Sequence, residues 1–203
     1  MEINFIITCF DKEEYYHGAL QVLKSYKTII PKIAFVYNGS SLHFPADIKI
    51  NNKGHQLGDI ELTLAGYNYL KNTSQTNRYV KLCIDSWLLN ENIIIEIFNG
   101  MHKNQSCYAG NYWFENSKNS LSTDIFFVDL NHGNIFEKFE WDGDHFETSM
   151  FKTLQKMNGI VSIISSREPV HPHNRFACDS LQWTMSHEIK ENLNQLWKSN
   201  LIN

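Results

Sequence analysis

No stretch of this chain reaches the roughly 18 consecutive apolar residues that a membrane-spanning helix needs, and no basic segment leads into an apolar one behind Met1. The chain is therefore expected to be soluble and cytoplasmic, without a transmembrane segment. Cysteine is sparse and scattered: Cys9, Cys83, Cys107 and Cys178 show none of the short paired spacings of a structural zinc site or a redox motif. They are expected to be reduced and mostly buried. An excess of positive charge is also missing, since 18 Lys and Arg stand against 22 Asp and Glu for a formal charge of -4. That balance supplies no electrostatic reason to expect nucleic acid or an anionic membrane as partner, and leaves a sugar or nucleotide substrate open. Internal repeats and low-complexity segments are absent as well.

What is present is one domain's worth of chain, 203 residues with 42% hydrophobic content, enough to bury a sizeable core. Residues 3–10 form an apolar run that reads as a buried strand, followed by a polar loop over 11–16. Leu20, Leu23, Tyr26 and Ile30 recur at helical steps, and Pro31 is expected to stop that helix. Residues 32–37 form a second strand, closed by Asn38-Gly39-Ser40-Ser41. Strand, helix, strand joined by a right-handed crossover is a βαβ unit with parallel neighbours. A short strand over 47–50, a helix from about Asp59 with Ile60, Leu64, Tyr67 and Leu70 on its apolar face, and a strand ending at Asp85 extend the alternation.

The second half changes character. A short helix over 91–98 precedes two strands, 107–114 and 123–130, whose connection allows an antiparallel pair. Phe146, Met150, Leu154 and Met157 then trace a helix ending near Gly159, residues 160–164 a late strand, and Leu181 to Leu196 a last helix. Residues 165–179, with Pro169 and Pro172, are expected to be the most mobile part.

The run Tyr79-Val80-Lys81-Leu82-Cys83-Ile84-Asp85-Ser86-Trp87 carries the first chemical hint, an apolar strand that delivers a carboxylate to the sheet edge. Strand ends are where open α/β sheets bind ligands, although a plain turn Asp is the simpler reading.

Four pieces, in order over roughly residues 3–164, resemble the GT-A fold glycosyltransferases that use nucleotide sugars, particularly the inverting family 2 type. Thr8-Cys9-Phe10-Asp11 looks like that family's first strand ending in Thr, an aromatic and Asn, with Asp11 in place of Asn. Val36-Tyr37-Asn38-Gly39-Ser40 is similar to its Asp-Asp-Gly-Ser turn, with Asn38 standing for the acid that recognises the base; Asn can still accept from and donate to a base edge. Cys83-Ile84-Asp85 matches the second acid of its Asp-x-Asp and lacks the first, and a thiol is a poor ligand for a hard cation. Trp141-Asp142-Gly143-Asp144-His145-Phe146-Glu147 resembles the acidic motif that supplies the base of an inverting transfer.

The resemblance implies an α/β fold, a GT-A (Rossmann-like) mostly parallel central sheet with helices on both faces and a smaller antiparallel element in the second half. It implies a single domain over 1–203, with residues 1–90 binding the nucleotide sugar and 91–203 the acceptor. Thr8, Asp11, Asn38 and Asp85 would line the donor; Asp85, with His173 from the loop carrying His171-Pro172-His173, would hold Mn or Mg. Asp144, then Glu147 and Asp142, are the candidate bases; Asp144 is read first as the base, a role that it can combine with capping the helix that follows. Arg167 and Arg175 suit a diphosphate, and Trp87, Tyr112, Trp113 and Trp141 suit stacking on a sugar, Trp113 and Trp141 foremost. The expected activity is transfer of a hexosyl or deoxyhexosyl group from a nucleoside diphosphate sugar to a hydroxyl of a glycan or other acceptor, metal-dependent and inverting. Two rivals remain: a nucleotidyltransferase acting on a sugar phosphate, disfavoured by the acidic, glycine-free loop after the first strand, and a non-catalytic relative that binds sugar nucleotide or glycan.

Overall fold

Alternation along the first strand, β1 (Glu2–Phe10), sets the layers of the molecule. Ile3, Phe5, Ile7 and Cys9 enter one hydrophobic cluster and Ile6 the other, as side chains on a strand must point to opposite faces. A strand apolar on both faces has to lie inside a sheet covered on both sides. The computed structural model describes residues 1–166 apart from 11, 40, 42, 51–54 and 116–117. Within them lie β2 (Ile30–Asn38), β3 (Ile48–Ile50), β4 (Arg78–Cys83), β5 (Tyr108–Glu115), β6 (Lys118–Asp129) and β7 (Val161–Ser166), together with α1 (Tyr16–Ser25), α2 (His55–Thr73), α3 (Glu91–Asn104), α4 (Ile135–Lys138) and α5 (Phe146–Lys156).

The seven strands form one sheet in the order β3-β2-β1-β4-β6-β5-β7. β1 is parallel to β2 and β4, β2 to β3, and β5 to β7, while β6 runs antiparallel to both β4 and β5. The sheet is thus mostly parallel with one reversed strand, as the two halves of the sequence imply. Residues of α1 and α3 join the cluster on one face, those of α2, α4 and α5 the cluster on the other. In α3 the buried residues Ile94, Ile97, Phe98 and Met101 keep the spacing of one helical face; Asn90 caps its first turn by accepting from the Asn92 amide, and Gln105 ends it in the left-handed region.

Several boundaries differ from the sequence reading, among them β4, which ends at Cys83 rather than Asp85, and α2, which starts at His55 rather than near Asp59. α1 stops at Ser25, and Ile30 and Pro31 belong to β2. Pro31 is tolerated there because Ile30 donates to Met1 O (2.9 Å), which turns the position-31 nitrogen away from β1 toward a side where β3 pairs only with Val36 to Asn38. α3 runs to Asn104 rather than residue 98, and β6 begins at Lys118, five residues before the expected start. Among the described residues no helix is long and apolar enough to cross a membrane.

Candidate active site

Sheet order places the site. From β1 the chain winds outward through β2 to β3, and β4 then returns to the other side of β1, so the winding reverses between β1 and β4. Connections leave the carboxyl ends of two such strands in opposite directions, and the gap between them is where an open α/β sheet takes its ligand. A cleft of about 320 Å³ opens there, lined by Thr8 and Phe10 of β1, Lys12 behind it, Asp59 and Leu62 of α2, Cys83, Ile84 and Asp85 at the end of β4, Thr123 and Asp124 of β6, and His145, Phe146 and Glu147 at the start of α5.

Two lysines organise the β1–β4 end. Lys12 Nζ lies 2.6 Å from Asp85 Oδ2, with the lysine side chain 51% and the carboxylate 22% exposed. Lys81 sits mid-strand on β4 at 0% exposure, 3.0 Å from Asp59 Oδ1 and 3.3 Å from Cys83 Sγ, and it donates to the Thr123 carbonyl. Thr8 Oγ1 donates to the same Asp59 (3.3 Å). Burial opposes both ammonium ions, but their carboxylate neighbours outweigh it: Asp85 raises the Lys12 pKa, and Asp59 with Asp124 raises that of Lys81, so both stay protonated at neutral pH. Burial pushes the Cys83 thiol up to about 12, against the opposing pull of Lys81. Cys83 is therefore a neutral thiol, donating toward Asp124 Oδ1 at 3.5 Å.

The other wall is α5. Glu147 lines the cleft and accepts from Thr123 Oγ1 at 3.2 Å. Asp142 and Asp144 point elsewhere: both contact Lys152 (2.7 and 3.2 Å), Asp142 also accepts from Ser149 Oγ (2.8 Å), and neither borders the cleft. Lys152 and Ser149 hold the Asp142 carboxyl well below the usual range. Asp144 does not cap the helix either; the cap position is His145, whose amide Asp144 accepts at 2.9 Å.

Of the residues singled out in the sequence, the structure brings Thr8, Asp85 and Glu147 to one cleft. Asn38 is buried at the end of β2, beside Phe10 in register. Trp87 is core, 1% exposed, whereas Trp141 is 43% exposed with its indole N–H on the Asp144 carbonyl (2.7 Å). Asp11, Arg167, His171, His173, Arg175 and Cys178 lie outside the described residues, as do the side chains of Tyr112 and Trp113. Sequence reasoning missed Lys12, Asp59, Lys81, Thr123 and Asp124. Lys81 had a signal, since a lysine inside a fully apolar strand needs a partner to be buried.

The divalent cation that the resemblance implies does not fit the described donors. Asp85 already bears an ammonium at 2.6 Å and Asp59 another at 3.0 Å, and among the described residues no three His, Cys, Asp or Glu side chains gather into a group that could hold a metal.

No protein-family model and no curated protein matches the chain. Solved structures do. An active-site mutant of the galactosyltransferase LgtC superposes with a TM-score of 0.54 at 11% identity, over 98% of this chain and 96% of that one. A mannosyltransferase from Pyrobaculum calidifontis in complex with GDP-Man and Mn2+ gives 0.54 at 8% identity, over 98% of this chain, which spans 64% of the mannosyltransferase. A 4-diphosphocytidyl-2C-methyl-D-erythritol synthase gives 0.52 at 10% identity, over 96% and 98%. The fold is the GT-A type that these transferases share.

Proposed function

We propose that this protein is a glycosyltransferase that moves a sugar, of the hexosyl or deoxyhexosyl class, from a nucleoside diphosphate sugar to an acceptor hydroxyl of a glycan, with inversion. One observation carries the reading: the cleft at the β1–β4 reversal has a lysine and Asp85 on one wall and a carboxylate, Glu147, on α5 across from the strand ends. The donor's diphosphate belongs at the β1–β4 end, where Thr8 lines the cleft. Glu147 is the base. It takes the acceptor hydroxyl proton as that oxygen bonds to the anomeric carbon, while the bond from that carbon to the diphosphate breaks and its electron pair leaves on the phosphate oxygen. Thr123 orients the Glu147 carboxylate, and the exposed ring of Trp141, held through the Asp144 carbonyl, offers a face on which an acceptor sugar can stack.

A second reading, nucleotidyl transfer to a sugar phosphate, is favoured by Lys12, a cation lining the cleft from the loop after β1. Uridine, guanosine and thymidine diphosphate sugars, each offered with and without acceptor glycans, separate the two. Release of nucleoside diphosphate that accelerates with acceptor is expected. Pyrophosphate release from a nucleoside triphosphate and a sugar phosphate would move the assignment to the second reading, and binding without release to a non-catalytic relative. A panel that neither turns over nor raises the melting temperature would sink the whole assignment.

A further inference from the structure

A leaving diphosphate needs positive charge beside it, and the question is what supplies it in this cleft. Lys12 lines the cleft from the loop that follows β1, at the point where the sheet's winding reverses, with its ammonium 2.6 Å from Asp85. Asp59, the carboxylate that α2 brings to the same corner, is occupied by Lys81, which is wholly buried and further held by the Thr123 carbonyl. A divalent ion on Asp85 would have to displace Lys12, and Asp59 at the same corner is already taken by Lys81, so the corner is built around protein cations.

We propose that the Lys12 ammonium is the group that binds the donor's diphosphate, taking the part of a divalent metal, and that nucleotide binding to this protein needs no metal ion. The proposal rests on the glycosyltransferase reading of the cleft. Lys12 is suited to the exchange because its pair with Asp85 is open to water and weakly held, so the ammonium can turn from the carboxylate to a phosphate oxygen at little cost. Asp85 is then a positioning residue: it keeps the Lys12 side chain extended into the cleft in the empty protein. Lys81 neutralises Asp59, which otherwise would repel the phosphates. Cys83, standing where a first metal-binding acid is expected from the resemblance, serves as a neutral thiol against both Lys81 and Asp124, a position in which an added carboxylate would draw Lys81 away from Asp59.

The test is calorimetric titration of uridine, guanosine, cytidine and thymidine diphosphates into the whole protein, in EDTA and again in manganese chloride, with Lys12→Ala and Lys12→Arg alongside. The wild type is expected to bind one of these nucleotides with affinities that agree within about threefold in the two buffers. Lys12→Ala should weaken that binding at least about tenfold, roughly the loss of one charge-assisted contact to phosphate, with its melting curve unchanged, and Lys12→Arg should keep it within about threefold. Binding seen only with manganese, or full affinity in Lys12→Ala, overturns the proposal and leaves the glycosyltransferase reading standing. Failure of every nucleotide in both buffers overturns the two together.

Discussion

Glu147 and Asp144 are three residues apart in sequence and have different work to do. The turn before α5 spends Asp142 and Asp144 on Lys152, Ser149 and backbone amides, which fixes the entry of the helix. Glu147, the second residue of α5, faces the cleft and meets Thr123 of β6. A carboxylate that must accept a proton from substrate needs access to it more than it needs a lysine, since an ion pair lowers its basicity. Glu147→Gln is therefore expected to lower the rate of sugar transfer by about 10²–10⁴-fold, the usual contribution of a general base, while nucleotide affinity stays at the wild-type value. Asp144→Asn, which removes the charge facing Lys152 and keeps an amide oxygen that can accept from the His145 N–H, should stay within about threefold in rate. Steady-state transfer assays on the two variants decide it: if Asp144→Asn shows the large loss and Glu147→Gln does not, the base has been assigned to the wrong side of the helix.

At the scale of elements, the turn that carries Asp85 is held from the side of α1. The Trp87 indole N–H donates to the Ile84 carbonyl (2.9 Å), the Ser86 amide to that of Cys83 (2.8 Å), and the Ile84 amide to Thr8 O on β1 (2.8 Å). The Trp87 ring packs so tightly on α1 that a Cβ at Gly18 would fall 2.2 Å from its Cζ2 and 2.4 Å from its Cη2. Gly18→Ala must push the ring aside, and overpacking of this kind costs about 1–3 kcal/mol. A lower urea midpoint with altered tryptophan fluorescence is expected, and because the ring pins the Asp85 turn, nucleotide affinity should fall with it. An unchanged midpoint would mean that the α1 contact is slack. This contact also shows where the sequence stops speaking. β1, β2 and β4 are legible because they are apolar on both faces, and α3 and α5 because their buried residues repeat at helical steps. The start of β6 is not, because Ser120 is buried through a side-chain pair with Thr148 (3.2 Å) of α5, a partner that only the fold supplies. Lys81 and Asp59 are invisible as a pair for the same reason: 22 residues apart in the chain, they meet only across the α2–β4 layer. Asp85 and Glu147 could be proposed from their neighbours in sequence, but which of the acids near α5 faces the cleft depends on the turn before the helix, which commits Asp142 and Asp144 to Lys152, Ser149 and backbone amides.

For the molecule as a whole, the titrating groups set a window of stability whose two limbs have different chemistry. Glu91, at the start of α3, accepts from the Ile29, Lys27 and Thr28 amides and so clamps α3 to the segment leading into β2; these bonds hold its pKa below the ordinary value. Lys71 and Tyr67 lower that of Glu137 in the same way, and Lys152 and Ser149 that of Asp142. A lowered folded-state pKa gives stability that is present above the unfolded value and lost as pH falls through the folded one. The alkaline limb has the opposite sign. Burial raises Tyr37 and Tyr79 to about 12, and Glu137 and Asp142 raise Lys71 and Lys152, so their contribution is complete below the unfolded values and lost as pH climbs through the folded ones. Burial also pushes the Cys83 and Cys107 thiols up, to about 12 and about 11, so melting temperature is expected to be flat from roughly pH 5 to about pH 8 and to fall on both sides. Most of the paired carboxylates are exposed, so salt should flatten the part of the acid limb due to Glu137 and Asp142 more than the part due to Glu91, whose partners are backbone amides. Glu91→Gln isolates that last share. It should melt below the wild type at pH 7, and the gap should narrow as pH falls from the ordinary carboxylate range toward the lowered folded-state pKa of Glu91. Differential scanning calorimetry of both proteins from pH 3 to 7 measures the gap directly; a gap that stays constant with pH would show that the clamp works through shape rather than charge.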